Sequence, residues 1–150
     1  MNYRFNVEDY MVKYPYIGNR KMKVAEAFNF LKNCNIRHLP IIEKGKVVGI
    51  VSDRDLREAK HFEDPPLLVE DVMKTEPFMV PEGTKLADVA DVMAKGKYGC
   101  TVVQDRSGRL TGIFTTTDAM RLLALILRES PETRFHALPV DTFVREEIAI

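Results

Sequence analysis

The chain has no tryptophan, only two cysteines among its 150 residues, and no net charge. Lysine plus arginine equals aspartate plus glutamate at 22 each, and no long basic stripe is present. A protein that holds a nucleic acid duplex through bulk charge is therefore excluded. Cys34 and Cys100 lie far apart and the three histidines show no metal-ligand spacing, which argues against a zinc site and is typical of a reducing, intracellular compartment.

Long apolar segments are also missing. The longest apolar stretch, 122–127, is far too short to cross a bilayer, and the N-terminus lacks the basic flank and apolar core of a signal peptide. No Ser/His/Asp or Cys/His pair stands at a spacing that indicates nucleophilic catalysis. We therefore expect a cytoplasmic protein that is not an enzyme and has no membrane among its partners.

The most prominent feature that is present is a long internal repeat. Val-Glu-Asp-Tyr-Met at 7–11 returns as Val-Glu-Asp-Val-Met at 69–73. Gly-Ile-Val-Ser-Asp-Arg-Asp at 49–55 returns as Gly-Ile-Phe-Thr-Thr-Thr-Asp at 112–118. Two copies are too few for a solenoid and indicate two versions of one small unit. Any site in the first copy therefore predicts a counterpart in the second.

We place the copies at 7–61 and 69–128, with a C-terminal extension at 129–150. Each copy has the pattern helix, short strand, helix, strand, turn, strand, helix, which predicts a mixed α/β fold. The predicted elements are helix 24–31, strands 39–42 and 46–51, a helix from Ser52 to about His61, a helix capped by Thr84 that ends near Gly96, strands 100–104 and 110–115, a helix from Thr115 to about Arg128, and an edge strand within 137–144.

The last predicted helix is apolar on more than one face over 122–127. A helix that is apolar nearly all round is buried on several sides. Two interpretations fit equally well: burial against the other repeat, or burial in a contact between subunits.

The repeated segments at 49–55 and 112–118 share the pattern Gly, two apolar residues, hydroxyl, two variable residues, Asp. The glycine permits close backbone approach, and the apolar pair completes a buried strand. The hydroxyl opens a helix whose free N–H groups attract an anion such as a phosphate. The carboxylate three positions later lies on the same face, and its two acceptor oxygens suit the paired hydroxyls of a ribose. One short segment can thus hold both halves of a nucleotide.

A second interpretation uses the same residues. Ser or Thr followed three residues later by an acidic side chain is a capping box, in which the two side chains satisfy the free donors of a helix start. Ser52 with Asp55 and Thr115 with Asp118 both fit this pattern. Since the pattern occurs in both copies, each time after an apolar strand, the ligand and the cap are about equally supported.

Together these features resemble a tandem pair of cystathionine-β-synthase-type (CBS) domains, also called a Bateman module. The resemblance covers about 7–128 and rests on elements that recur in order: the Val-x-Asp-x-Met opener, the strand start Ile-Arg-His-Leu-Pro-Ile-Ile at 36–42, and the two Gly-x-x-Ser/Thr-x-x-Asp segments. It implies two βαββα repeats packed through their sheets about a pseudo-twofold axis. It also implies two clefts between the repeats and a disc-shaped homodimer.

The resemblance further implies an adenosine ligand, such as AMP, ADP, ATP or S-adenosylmethionine. Asp55 and Asp118 would hold the ribose hydroxyls, and Ser52 and Thr115 would approach the phosphate. Whether magnesium accompanies a polyphosphate stays open. The adenine pocket would use Ile17 and Met79, together with His38, Leu39 and Pro40 in the first repeat and Cys100, Thr101 and Val102 in the second.

The chain departs from the family pattern in ways that predict unequal sites. Ile17 and Met79 stand where many members have threonine, and Val102 stands where the family usually has proline. Since phosphates require neutralisation, we expect the site with more basic neighbours to hold the more highly charged ligand. That site is the first, whose motif is flanked by Arg37, His38 and Arg54, whereas Thr116 and Thr117 flank the second.

The predicted function is a non-enzymatic, energy-sensing module whose ligand shifts the angle between repeats or subunits. Because no catalytic or transport domain is visible in the sequence, a separate, unidentified protein would be regulated. The alternative is a ligand-free module for oligomerisation or protein docking, in which the motifs only cap helices.

Overall fold

The computed structural model describes residues 5–61 and 65–129. In chain order its elements are a 3₁₀ turn (Val7–Asp9), β1 (Val12–Lys13), α1 (Val24–Asn33), β2 (His38–Glu43), β3 (Lys46–Ser52), α2 (Asp53–Ala59), α3 (Val69–Val72), β4 (Met79–Pro81), α4 (Leu86–Gly96), β5 (Cys100–Gln104), β6 (Leu110–Thr115) and α5 (Thr116–Glu129). The predicted mixed α/β fold is confirmed, and the longer helices and the hairpin strands agree with the prediction to within about two residues. The edge strand predicted within 137–144 lies outside the described residues.

The strands form a four-stranded sheet, in the order β1-β6-β5-β4, and a separate hairpin of β2 and β3. Within the two hairpins the repeats correspond residue by residue at the motif end. His38 pairs with Ser52 in β2-β3, as Cys100 pairs with Thr115 in β5-β6. The first residue of one strand therefore lies beside the motif hydroxyl in both repeats.

A short strand precedes α1 as predicted, but it is β1 and does not include Ile17. At the position equivalent to β4 of the second repeat, only a single bridge joins Gly18 to Ile41. The chain turns immediately afterwards, because the side chain of Asn19 accepts a hydrogen bond from the Lys21 amide at 2.9 Å. Ile17 therefore lies beside a turn and not on a strand.

Each opener packs against the other repeat. The Val7 amide donates to the Thr84 carbonyl at 2.9 Å, and the Val69 amide donates to the Met22 carbonyl at 2.8 Å. Both valines are fully buried, Val7 in the core of the second repeat and Val69 in the core of the first. Strand β1 follows the first opener and pairs with β6. The repeats thus exchange their N-terminal segments, and each core is completed by the other copy.

Each opener ends in a methionine that lies over the motif glycine of the other repeat. A β-carbon added at Gly49 would lie 2.7 Å from Met73 Sδ and 2.9 Å from the carbonyl oxygen of Lys74. Met11 lies over Gly112 in the same way. Close approach at Gly49 is therefore confirmed, and the backbone that approaches belongs to the exchanged opener.

The helix cap predicted at Thr84 is wrong. Helix α4 begins at Leu86, and its N-cap is Lys85, which makes no side-chain cap bond. The Leu86 amide instead donates to the Phe5 carbonyl at 2.8 Å, so the docked N-terminal backbone satisfies one donor of the helix start. The Thr84 hydroxyl donates to the Pro81 carbonyl in the preceding turn.

Helix α5 carries its apolar side chains on the surface of the described chain. None of its residues is buried, and Met120 and Leu125 are 63% and 52% exposed. Within the described residues, the rest of the chain therefore does not cover these side chains, and the contact with a second subunit stays a prediction. Over 5–61 and 65–129, no helix is both long and apolar enough to span a membrane.

Candidate functional site

The first motif turns from β3 into α2 as a complete capping box. The Ser52 hydroxyl donates to Asp55 Oδ2 at 2.8 Å and accepts a bond from the Asp55 amide at 3.2 Å. The Ser52 amide donates to the same Oδ2 at 2.9 Å. The capping interpretation is thus confirmed for this motif, and the cap occupies only one of the two carboxylate oxygens.

The second motif repeats this geometry between β6 and α5. The Thr115 hydroxyl and amide donate to Asp118 Oδ2 at 2.8 and 2.9 Å, and the Asp118 amide donates to the hydroxyl at 3.3 Å. The other oxygen, Oδ1, lies 3.5 Å from the guanidinium of Arg121. A cap and a ribose contact are therefore compatible, because they would use different oxygens of each carboxylate.

A backbone hydrogen bond ties each motif to the residue just before the preceding strand. The Asp53 amide donates to the Arg37 carbonyl at 2.8 Å, and the Thr116 amide donates to the Gly99 carbonyl at 3.0 Å. Arg37 and Gly99 occupy equivalent positions, immediately before β2 and β5. A shift of either residue would therefore move the start of the helix that carries the motif.

Both motifs line a single cleft of about 920 Å³, to which both repeats contribute. The two clefts implied by the resemblance are joined into one in this structure. The structure brings together eight of the predicted site residues along its wall: Ser52, Asp55, Thr115, Asp118, His38, Arg54, Cys100 and Thr117.

Six predicted residues do not line this cleft: Ile17, Leu39, Pro40, Met79, Thr101 and Val102. Successive side chains of a strand point to opposite faces, so the residue after each cleft-facing strand start points into the core. Leu39 and Thr101 have no exposed surface, and the Thr101 hydroxyl donates to the Phe78 carbonyl at 3.3 Å. Ile17 and Met79 are exposed, but outside the cleft. These side chains therefore lie outside the wall of this cleft, and the adenine pocket stays a prediction.

Aromatic side chains form a part of the lining that the sequence interpretation missed. Phe78 and Tyr98 stack with their ring centroids 5.1 Å apart, and Lys74 Nζ lies 5.0 Å from the centroid of Tyr98. Tyr16 also lines the cleft. Exposed aromatic rings are suitable partners for a purine base. Tyr16 and Phe78 stand at equivalent positions of the repeat. An aromatic residue at the same position in both copies is the feature of the sequence from which they could have been predicted.

Six basic and three acidic side chains line the cleft, which gives it a surplus of positive charge. Both repeats supply cations in equal number, so the charge argument for unequal sites is not supported. The second repeat contributes Lys74 and Lys97 from positions away from its motif, and Arg121 from one helical turn after Asp118. The basic residues are Arg37, Arg54 and Arg57 from the first repeat and Lys74, Lys97 and Arg121 from the second.

Some of these cations are already paired. Arg37 and Arg57 lie 3.6 and 3.4 Å from Asp53. Among the described residues, the cleft cations without an ion pair are Arg54, Lys74 and Lys97. These three are available to neutralise an anionic ligand.

His38 and Cys100 hold equivalent positions and differ in chemistry. Burial lowers the pKa of His38, and the neighbouring Asp53 carboxylate opposes this effect. Burial raises the pKa of the Cys100 thiol to about 12. This thiol is therefore protonated at neutral pH and does not provide the thiolate that nucleophilic attack requires.

Comparison with known proteins agrees with the resemblance. A family model of the CBS domain matches residues 7–61 and 69–125. The L-aspartate semialdehyde sulfurtransferase of Methanocaldococcus jannaschii is 32% identical over 117 residues, which make up 77% of this chain and 23% of that enzyme. The chain thus spans about a quarter of the length of this relative.

Two similar structures were solved with adenosine compounds. CBSX2, a CBS-pair protein of Arabidopsis thaliana, was solved with AMP; its TM-score is 0.72 and its identity 27%, over 83% of this chain and 99% of that one. Another CBS domain pair was solved with 5′-methylthioadenosine and S-adenosyl-L-methionine. Its TM-score is 0.72 and its identity 30%, over 79% of this chain and 95% of that one.

Proposed function

The chain belongs to the CBS domain family, and we propose that it is a non-enzymatic regulatory module that binds an adenosine nucleotide in the cleft between its repeats. Binding changes the angle between repeats or subunits, and a separate protein senses that change. One observation carries the proposal: two equivalent hydroxyl–carboxylate turns face one basic cleft, and each cap uses a single oxygen of its carboxylate.

The contacts divide the roles among the cleft residues. Oδ1 of Asp55 and of Asp118 accepts hydrogen bonds from ribose hydroxyls, since Oδ2 belongs to the cap. The hydroxyl protons of Ser52 and Thr115 are also committed to the caps. Neutralisation of phosphate therefore falls to the cations without an ion pair, and the stacked rings of Phe78 and Tyr98 receive the base. These cations are Arg54, Lys74 and Lys97.

The charge of the cleft favours a phosphate-bearing ligand over S-adenosylmethionine. The sulfonium of S-adenosylmethionine is a cation, which the surplus of basic side chains disfavours, whereas phosphates gain charge-assisted hydrogen bonds. Magnesium would enter with a polyphosphate and be held by its oxygens. Within the described chain, no group of three or more His, Cys, Asp or Glu side chains could hold a metal ion.

Isothermal titration with AMP, ADP, ATP, adenosine and S-adenosylmethionine tests this function. We expect ATP and ADP to bind roughly tenfold or more tightly than adenosine, because each added phosphate reaches further cations. Raising the salt concentration from about 0.05 to about 0.5 M should weaken the binding of ATP and leave the binding of adenosine nearly unchanged. Absence of binding by every compound at millimolar concentration would sink the proposal. If S-adenosylmethionine binds most tightly, the adenosine-binding function stands, but the preference for phosphate-bearing ligands that we infer from the charge of the cleft is wrong.

The exposed side of α5 supports a homodimer as the assembled form. Met120, Leu123 and Leu127 follow the spacing i, i+3, i+7, which places them on one face, and all three are exposed. We expect a dimer mass in native mass spectrometry of the wild type and a monomer for Leu123→Glu. Lys32→Glu, an exposed change on α1, is the matched control and should leave the dimer intact. A monomeric wild type would contradict the assembly.

The rival function is a ligand-free module for oligomerisation or docking. Both capping boxes are complete, which favours this function. The hydroxyl and the backbone amide of Ser52 and of Thr115 have hydrogen-bond partners within the protein and need no ligand. In that case nucleotides would not raise the melting temperature of the protein.

A further inference from the structure

We propose that His38 couples the two motifs of the cleft, so that a nucleotide bound at the first motif strengthens binding at the second. This inference rests on the proposed function, because it concerns the same ligand. His38 is a positioning residue in this role, and it acts through Gly99 of the other repeat.

The structural basis is a close contact across the boundary between the repeats. A β-carbon added at Gly99 would lie 2.7 Å from His38 Nε2 and 3.0 Å from Cε1, so the imidazole edge occupies the space of a side chain at this position. The backbone of Gly99 does not adopt a positive φ, so the ring and not the backbone conformation requires glycine here. Both residues line the cleft.

On one side the contact leads to the first motif. His38 pairs with Ser52 in the β2-β3 ladder, and its neighbour Arg37 accepts the Asp53 amide at 2.8 Å. On the other side, the Gly99 carbonyl accepts the Thr116 amide at 3.0 Å, which anchors the start of α5. The contact of His38 with Gly99 therefore joins backbone hydrogen bonds that lead to both motifs, beside the buried packing of Ile50, Cys100 and Ile113.

This contact has no counterpart in the opposite direction. Cys100 takes the place of His38 in the second repeat, and Arg37 takes the place of Gly99 in the first. The fold thus repeats the motif, whereas the His38 ring on Gly99 is a contact that the repeat does not duplicate.

The direction of the coupling follows from the placement of the ring. A nucleotide at the first motif packs against the cleft side of His38 and holds the ring on Gly99. The Gly99 carbonyl then keeps the first turn of α5 in place for the second ligand. Because coupling between binding sites is reciprocal, a ligand at the second motif must strengthen the first by the same factor.

Calorimetric titration with AMP measures the coupling. Asp55→Asn weakens the first motif and Asp118→Asn weakens the second. At AMP concentrations too low to fill the weakened motif, each variant reports one site in the absence of a ligand at the other. We expect each remaining site to bind AMP about fivefold or more weakly than it does in the wild type with the other site filled, and by the same factor in both variants.

Two further variants remove the link from opposite sides. His38→Ala deletes the ring, and Gly99→Ala pushes it away with a methyl group. In either background, blocking one motif should no longer change the affinity of the other. His61→Ala, which alters an exposed histidine after α2, should retain the full coupling. A purely structural role would lower the melting temperature without changing this ratio.

The outcomes separate this inference from the proposed function. If the wild type binds no AMP, both fail. If AMP binds both motifs with affinities that do not change when the other is blocked, the coupling is overturned and the binding module stands. Coupling that persists in both His38→Ala and Gly99→Ala would also overturn the assignment to His38.

Discussion

Gly49→Ala is expected to destabilise the protein by about 1–3 kcal/mol, the range typical of an overpacked core. The added carbon would meet Met73 Sδ at 2.7 Å and the Lys74 carbonyl oxygen at 2.9 Å. That carbonyl has little freedom to move, because the amides and carbonyls of Lys74 and Ile50 exchange two hydrogen bonds of 2.9 Å. Thermal unfolding should show a loss of several degrees, since about 1 kcal/mol corresponds to roughly 2–4 °C at this size.

Gly112→Ala provides the matched comparison. The three atoms nearest to its added carbon belong to the side chain of Met11, which is flexible and can move aside. We therefore expect a smaller loss, and a double-mutant cycle with Met11→Ala should recover most of it. The same cycle with Met73→Ala should recover little at Gly49, because the Lys74 carbonyl remains. Equal losses and equal recovery at both glycines would contradict the role of the exchanged backbone.

The features that could be predicted from the sequence are those set by a few neighbouring residues. The hydroxyl and carboxylate of Ser52 and Asp55 are three positions apart, so the capping geometry is decided within one helical turn. The hairpin strands follow from short apolar runs on either side of a turn. Because these runs and turns occur twice, the equivalence of the two motifs can be recognised from the sequence alone.

The exchange of the openers could not be predicted in this way. Val7 and Val69 are each suited to fill either core, since the two copies have nearly the same apolar pattern. Only the tertiary arrangement decides that Val7 completes the second repeat. The same exchange explains the wrong cap at Thr84, because the Phe5 carbonyl that satisfies the Leu86 amide comes from a distant part of the chain.

The cleft could be predicted well near the motifs and poorly away from them. His38 and Leu39 are adjacent in sequence and share one predicted role, but strand alternation directs Leu39 into the core. Lys74 and Lys97 lie far from either motif in sequence and reach the cleft only through the fold. The resemblance to the family therefore predicts which segments lie near the cleft, whereas the three-dimensional structure decides which of their side chains face it.

Asp55→Asn is expected to weaken AMP binding at the first motif by roughly tenfold or more while leaving stability nearly unchanged. Asparagine keeps one oxygen, which can still accept the Ser52 amide and hydroxyl and so preserve the cap. It loses the charge and the second acceptor oxygen, which the ribose hydroxyls would use. Hydrogen bonds to charged groups contribute about 1.5–3 kcal/mol, and about 1.4 kcal/mol is a factor of ten in affinity. Titration calorimetry and thermal unfolding of the same variant measure the two effects separately.

Asp53→Asn is the control that shows whether weaker AMP binding by Asp55→Asn comes from a lost hydrogen bond or from a change of charge. Asp53 lies in the same turn and lines the same cleft, but its carboxylate pairs with Arg37 and Arg57 and not with the cap. Either substitution removes one negative charge from a cleft that holds an anion, which by charge alone should strengthen binding. Weaker binding for Asp55→Asn and unchanged or stronger binding for Asp53→Asn therefore identify Asp55 as a ribose acceptor. If both variants strengthen binding, the carboxylate acts only as a charge. If AMP does not bind and Ser52→Ala lowers stability by about 1 kcal/mol, the motif is a helix cap alone.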